Sequence, residues 1–116
     1  MKITDEFKKI GVVGVDSGQI LITDPCYIES EWRKKKKGES IFDKKNKGEY
    51  SYSGCCLATG GKKKSGQLNY KLGHKGAGVA SSSGLGDGVY PVYAKIVDGR
   101  VSHIIIDFGI LDHQQF

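Results

Sequence analysis

The chain has 116 residues, of which 38% are hydrophobic and 27% charged, and its formal net charge is +5. This length predicts a single domain, residues 1–116, with one modest core. The 17 glycines have no collagen-like period, so they favour many turns and short strands over long helices. No apolar run is long enough to cross a bilayer, and the N-terminus lacks the apolar segment of a signal peptide. We therefore expect a cytoplasmic protein with no membrane partner.

The first elements predicted along the chain form a hairpin and a short helix. Two β-branched runs, Lys9–Val15 and Gln19–Thr23, are joined by Asp-Ser-Gly, which is typical of a hairpin turn. Pro25 ends the second strand because proline cannot donate to a ladder. A helix is expected over Ser30–Lys37, capped by its serine and ended by Gly38.

The basic character of the chain lies in its middle. Residues 33–75 contain 13 Lys or Arg and three acidic residues, a net charge of +10. Alternating polar and aromatic residues predict a strand over Glu49–Thr59, and Lys62–Gly76 is expected to be mobile, as is the lysine- and glycine-rich middle as a whole. Concentrated positive charge attracts nucleotides, nucleic acid or acidic proteins, although a lysine run is also typical of a solvated loop that only confers solubility.

The last third of the chain predicts three strands. Gly78–Ser82 and Val89–Val97 flank a glycine-rich loop, and Asp98-Gly99 predicts a hairpin turn into Val101–Phe108. Pro91 indicates an edge strand or a bulge. The whole pattern predicts a mainly β fold, or α+β with one short helix, in which a twisted antiparallel sheet forms a small barrel or sandwich.

The loop between the first two of these strands is either a tight turn or a binding loop. Gly84, Gly86 and Gly88 alternate around Asp87, and Tyr90 follows. Glycines permit a close backbone approach to a ligand, and a carboxylate between them would accept hydrogen bonds from a base edge or a ribose. The other aspartates at turns and strand ends are expected to bond nearby backbone N–H groups.

Signals for catalysis and metal binding are weak. The loop is not followed by the Gly-Lys-Ser/Thr of a P-loop, and no nucleophile elbow occurs. Cys55 and Cys56 would point to opposite faces of a strand, so they would not share one zinc ion. An odd count of three cysteines argues against a disulfide framework. We expect packing cysteines, no catalytic residue, no metal and no cofactor.

Three stretches carry a resemblance: GVDSGQILITDPCYI, SSSGLGDGVYPVYA and VSHIIIDF. Together they resemble an uncharacterised family of small bacterial and bacteriophage proteins that carries a label of unknown function. The resemblance implies a common fold unit and a bacterial or phage origin. It implies no catalytic residue, and it does not extend over the lysine-rich middle.

These observations predict a non-catalytic binding protein for an anionic, nucleotide-type ligand, acting as a homo-oligomer. If the chain is phage-encoded, one form would be a sponge that sequesters a host immune nucleotide signal. The alternatives are a small metal-dependent hydrolase or phosphodiesterase, and a sequence-independent nucleic-acid binder. The predicted ligand-binding residues are Gly84, Gly86, Asp87, Gly88, Tyr90, Lys62, Lys63, Lys64 and His74.

Overall fold

The computed structural model describes residues 6–111 and is mainly β within that range. Six strands form two antiparallel sheets of three strands each, with the orders β1-β5-β6 and β2-β4-β3. The strands are β1 Phe7–Val15, β2 Gln19–Thr23, β3 Ser65–Asn69, β4 Lys75–Ser82, β5 Gly88–Val97 and β6 Arg100–Ile106. The helices are α1 Tyr27–Ser30, a 3₁₀ turn Lys44–Asn46, and α2 Tyr52–Thr59.

The predicted fold class is confirmed, because the described residues are mainly β and antiparallel with little helix. Both sheets are open, so no closed barrel forms within residues 6–111.

The chain divides into two compact units. Unit 1 contains the described residues up to Gly18 and again from Ser83, and its sheet is β1-β5-β6. Unit 2 is the continuous segment Gln19–Ser82, and its sheet is β2-β4-β3 with α2 packed against β3 and β4.

Unit 2 contains the buried hydrophobic cluster. Its members are Tyr50, Cys55, Leu68, Ala77 and Ala80. Helix α2 lies very close to β3, since a Cβ added at Gly66 would lie 2.9 Å from the Cβ of Ala58. Small residues at this contact therefore allow α2 to pack closely against β3.

In unit 1 the predicted β5–β6 hairpin is confirmed. Val97 pairs with Arg100, and both turn residues have positive φ, 51° at Asp98 and 75° at Gly99, as a two-residue hairpin turn requires. The prediction of an edge strand or a bulge at Pro91 is wrong, because β5 is the central strand and neither register shift along it falls at Pro91. The Asp107 N–H donates to the Pro91 carbonyl just beyond the last residue of β6. Pro91 therefore lies opposite a residue outside β6, so its missing N–H removes no hydrogen bond between residues of the two strands.

The hairpin predicted between the first two strands is wrong. β1 pairs with β5, whereas β2 pairs with β4. The intervening turn bonds elsewhere: Ser83 N–H donates to the Gly18 carbonyl at 3.1 Å, and Gly18 N–H donates to the Asp87 carboxylate at 2.8 Å. A turn signal in the sequence marks a change of direction, and here the partners that decide the pairing lie far along the chain.

Two local predictions in the basic middle are also wrong. No helix spans 30–37, because Arg33 N–H donates instead to the Tyr50 carbonyl at 3.0 Å, in a short bridge between Arg33 and Ser51. The strand predicted over 49–59 is α2, which begins where the Ser51 hydroxyl accepts a hydrogen bond from Gly54 N–H. A serine N-cap thus outweighs the aromatic alternation around it.

Within the described part of the chain, no helix has the length and apolar character that spanning a membrane requires.

Candidate functional site

The glycine loop of unit 1 is held by hydrogen bonds within that unit. The hydroxyls of Ser83 and Tyr90 both donate to the Gly86 carbonyl, at 2.6 and 2.7 Å. The Tyr90 ring also packs edge-on against Phe108, with centroids 5.1 Å apart. Gly84 and Gly86 have positive φ angles, 66° and 107°, so the backbone geometry requires glycine at both positions. These contacts give the loop a defined conformation, and a ligand role for Gly84, Gly86, Gly88 and Tyr90 stays a prediction.

Asp87 is exposed, and its carboxylate accepts the hydrogen bond from Gly18 N–H. The expectation that such aspartates bond nearby backbone groups is confirmed at Asp24, which accepts from Cys26 N–H at 3.0 Å, and at Asp107, which accepts from Gly109 N–H at 2.8 Å. The bond from Cys26 also lowers the pKa of Asp24. Asp87 therefore has a structural contact, and its proposed contact with a base or ribose stays a prediction.

The predicted lysines lie in unit 2, in the connection between α2 and β3. Lys64 has a positive φ of 61°, its N–H donates to the Gly61 carbonyl and its carbonyl accepts from Ser82 N–H. A left-handed backbone at a lysine is uncommon, so Lys64 forms the turn that starts β3. Lys62 and Lys63 precede this turn and are exposed.

Lys62 and Lys63 line a cleft of about 320 Å³ together with Lys47. We call it the lysine cleft. Its walls are the end of α2, the glycine-containing loop after it and the start of β3, and its described lining contains no carboxylate. None of the three ammonium groups forms an ion pair within residues 6–111. Three uncompensated cations around one cleft make a site with positive potential, which favours anions.

A second cleft of about 460 Å³ adjoins the first in unit 2. We call it the asparagine cleft, after Asn69. Lys47 and Gly48 line both clefts. Tyr70 lines the asparagine cleft, and His74 stacks on its ring with centroids 4.4 Å apart. His74 itself lines neither cleft. Its predicted role in ligand binding stays a prediction.

Arg33 is fixed by two carboxylates at the edge of the asparagine cleft. Its Nε donates to Glu49 at 2.7 Å, and its terminal nitrogens donate to both oxygens of Glu39. Glu39 also accepts from Asn46 Nδ2 and from Lys36 N–H. The Arg33 guanidinium, followed by the Lys36 N–H, lowers the pKa of Glu39 to about 2. The arginine is therefore neutralised where it stands, unlike the three lysines of the lysine cleft.

Cys55 is a packing residue, as predicted. Its side chain is buried in the unit 2 cluster, and burial raises the pKa of its thiol to about 11. It therefore stays protonated and unreactive near neutral pH. Cys26 is exposed, so the packing role expected for the cysteines does not apply to it. Among residues 6–111, no three His, Cys, Asp or Glu side chains gather as a metal site would require.

The predicted site residues thus fall into separate groups. Five belong to unit 1, in the glycine loop and the start of β5, whereas Lys62 to Lys64 and His74 belong to unit 2, where β3 lies between them in the chain. Sequence reasoning missed Lys47 and Asn69. Lys47 lies within the basic run, and no feature of the sequence distinguishes it from the neighbouring lysines. Asn69 is the last residue of β3, within the segment Lys62–Gly76 that was expected to be mobile. The sequence therefore did not predict a fixed polar side chain there.

One comparison finds a family, and it is consistent with the expectation of an uncharacterised family. The family described as "Protein of unknown function (DUF4241)" matches residues 3–106. No curated protein and no solved structure matches the chain. The family match covers all of unit 2 with the lysine-rich middle, most of unit 1, and the quoted motifs except the last two residues of the third. The chain therefore belongs to the DUF4241 family.

Proposed function

We propose that the protein is a non-catalytic binding protein for an anionic small molecule of the nucleotide type, and that the lysine cleft holds the anionic groups. The observation that carries the proposal is the set of three lysines, Lys47, Lys62 and Lys63, around one cleft with no carboxylate in its described lining. Phosphates need several cations or N–H donors at once, and lysine supplies three donors on a flexible stem.

The same cleft offers little for catalysis. Its described lining has no histidine, cysteine or carboxylate, and its one serine, Ser65, donates its hydroxyl to the Lys63 carbonyl at 3.3 Å rather than to a general base. A protein that binds without turnover acts by sequestering its ligand. The biological form that we propose is capture of a nucleotide signal in the cytoplasm of a host cell, if the chain is phage-encoded, by a homo-oligomer of this chain.

The test is isothermal titration of ATP into the wild type and two double variants at low and moderate salt. Lys62→Ser/Lys63→Ser removes two cations from the cleft. Lys34→Ser/Lys35→Ser removes the same charge from exposed positions of unit 2 that line neither cleft. We expect a loss of about tenfold or more in ATP affinity for the first pair, on the scale of one charge-assisted hydrogen bond, and a flatter salt dependence.

Comparing the two double variants distinguishes ATP binding at the lysine cleft from attraction of ATP by the net charge of the protein. Equal losses in both double variants would mean that ATP responds only to the net charge, and the lysine cleft would be abandoned. Chromatography of the nucleotide after incubation tests the alternative activity, since conversion of ATP in the presence of Mg²⁺ or Mn²⁺ would favour the metal-dependent hydrolase. Tighter binding of a single-stranded oligonucleotide than of ATP would favour the nucleic-acid binder.

A further inference from the structure

The asparagine cleft has room for a part of a ligand that the lysine cleft cannot accommodate. Its volume of about 460 Å³ lies within the range of small-molecule sites, and the lysine cleft, at about 320 Å³, lies at the lower end. Both belong to unit 2, and Lys47 and Gly48 line both. One extended ligand can therefore reach from one cleft to the other without leaving this unit.

Asn69 provides an unused recognition group in the asparagine cleft. Its side-chain oxygen is buried and accepts no hydrogen bond within residues 6–111. A buried acceptor without a donor costs free energy, and a ligand N–H that supplied the missing bond would recover it. The carboxamide carries both an acceptor oxygen and a donor amino group, and this pairing of acceptor with donor is what the polar edge of a nucleobase matches.

The charge of the asparagine cleft suits a neutral group better than a phosphate. Two carboxylates line it, from Glu31 and Glu49. Glu49 holds the Arg33 guanidinium, and Glu31 accepts a hydrogen bond from the Lys71 N–H at 3.2 Å. The lining thus carries three cations, Arg33, Lys47 and Lys71, against these two carboxylates, whereas the lysine cleft carries three cations and no carboxylate. A phosphate would meet carboxylates in this cleft, whereas a base would meet polar groups and an aromatic wall.

Tyr70 supplies that wall in a fixed position. His74 stacks on it, Tyr27 packs edge-on with centroids 4.9 Å apart, and the Tyr70 hydroxyl donates to the Gly76 carbonyl at 3.0 Å. A ring held from three directions loses little freedom when a ligand packs beside it, so the cleft is preorganised.

Gly48 lies where the two clefts join. Its φ is 80°, and a Cβ there would lie 3.1 Å from the Asn69 side-chain nitrogen. The absence of a side chain at this position therefore leaves the Asn69 carboxamide uncrowded.

We propose that the asparagine cleft is a nucleobase-binding subsite, in which Asn69 hydrogen-bonds the polar edge of the base while the phosphates of the same molecule lie in the lysine cleft. This inference rests on the proposed function, since it assigns the second half of the ligand that the lysine cleft binds.

The experiment compares ATP with tripolyphosphate, which carries the phosphates without a base. Both are titrated calorimetrically into the wild type, Asn69→Leu and Asn69→Ala, with thermal unfolding to establish that each variant is folded. We expect the wild type to bind ATP about tenfold more tightly than tripolyphosphate. Both substitutions should remove that advantage and leave the tripolyphosphate affinity within about twofold of the wild type.

A second readout needs only the wild type. The side-chain amide of Asn69 gives a ¹H–¹⁵N pair that should shift on addition of ATP and stay in place on addition of tripolyphosphate. Equal affinity of the wild type for the two probes, or an equal loss of both on substitution of Asn69, would overturn the subsite. In that case a loss of tripolyphosphate binding in Lys62→Ser/Lys63→Ser would leave the proposed function intact. Failure of both probes to bind would overturn the proposed function itself.

Discussion

Glu39 illustrates how one side chain organises the irregular part of unit 2. It accepts hydrogen bonds from Arg33, Asn46 and Lys36, which come from three separate places along the chain between 33 and 46. Asn46 in turn donates to the buried Ser53 hydroxyl in α2. These hydrogen bonds connect the irregular segment 33–46 to α2, the helix that borders the lysine cleft. An isolated ion pair on the exposed surface would not connect the two in this way.

This network predicts a specific dependence of stability on pH. The pKa of Glu39 is lowered from 4.5 to about 2, first by Arg33. A depressed pKa contributes stability that is present above the unfolded value and is lost as the pH falls through the folded value. We therefore expect wild-type stability to decline between about pH 4.5 and pH 2, and Glu39→Gln to be less stable at neutral pH with a flatter profile across that window.

Thermal unfolding followed from pH 7 down to pH 2 measures the effect. Glu29→Gln is the control, since this glutamate is exposed in α1 and has no ion pair within the described residues. Profiles of the same shape for Glu39→Gln and the wild type would show that the contacts of Glu39 contribute nothing to acid sensitivity.

At the scale of elements, helix α2 depends on a glycine in its first turn. Gly54 is buried and donates to the Ser51 cap, and a Cβ added there would lie 1.7 Å from the Glu49 carbonyl oxygen. That atom belongs to the backbone, so it cannot move aside as a side-chain end can. The start of α2 and the strand-like segment before it must therefore separate if position 54 carries a side chain.

We predict that Gly54→Ala lowers the free energy of unfolding by about 3 kcal/mol or more, at the upper end of overpacking costs. Gly61→Ala is the matched control, because a Cβ there meets nothing within 4 Å and its φ is not positive. Urea unfolding of both variants gives the comparison. Similar midpoints for the two would mean that α2 shifts without cost.

The sequence predicts some of these elements well and others not at all, for reasons that differ in kind. The turn Asp98-Gly99 and its strands are correct because a hairpin depends on residues that are neighbours in the chain. The partner of β1 is β5, whose residues lie more than 70 positions away, and no local pattern encodes that choice. Helix α2 was missed because its cap, Ser51, lies among alternating aromatics that read as a strand.

The candidate site was predicted in part. Lys62 and Lys63 follow from the concentration of charge, which is visible in the sequence. Lys47 joins them only because α2 folds back over β3, and the unsatisfied oxygen of Asn69 is a property of packing alone. The number of charged residues can be read from the sequence, whereas the convergence of these lysines and the burial of the Asn69 oxygen arise only in the folded chain.

At the scale of the whole molecule, apolar surface is unequally shared. Most of the large apolar side chains that are exposed belong to unit 1, whereas the buried hydrophobic cluster belongs to unit 2. In unit 1, β6 is an edge strand, and Val101 and Ile104 on it are 59% and 53% exposed. Both edge strands carry a bulge, but β1 also carries Lys8 and Lys9, which discourage pairing, whereas Arg100 is the only Lys or Arg of β6.

These features favour a homo-oligomer in which β6 pairs with β6 of a second copy. An antiparallel strand can pair with itself about a two-fold axis, so one surface serves both partners. We predict that the wild type is at least a dimer and that Ile104→Lys makes it monomeric, because the substitution places a charge at the contact. Light scattering coupled to size exclusion, over a range of concentrations, measures the mass. Leu72→Lys is the control, since Leu72 is 92% exposed in unit 2 and its substitution should leave the mass unchanged. A monomeric wild type at every concentration, or an Ile104→Lys variant that keeps the wild-type mass, would remove β6 as the interface.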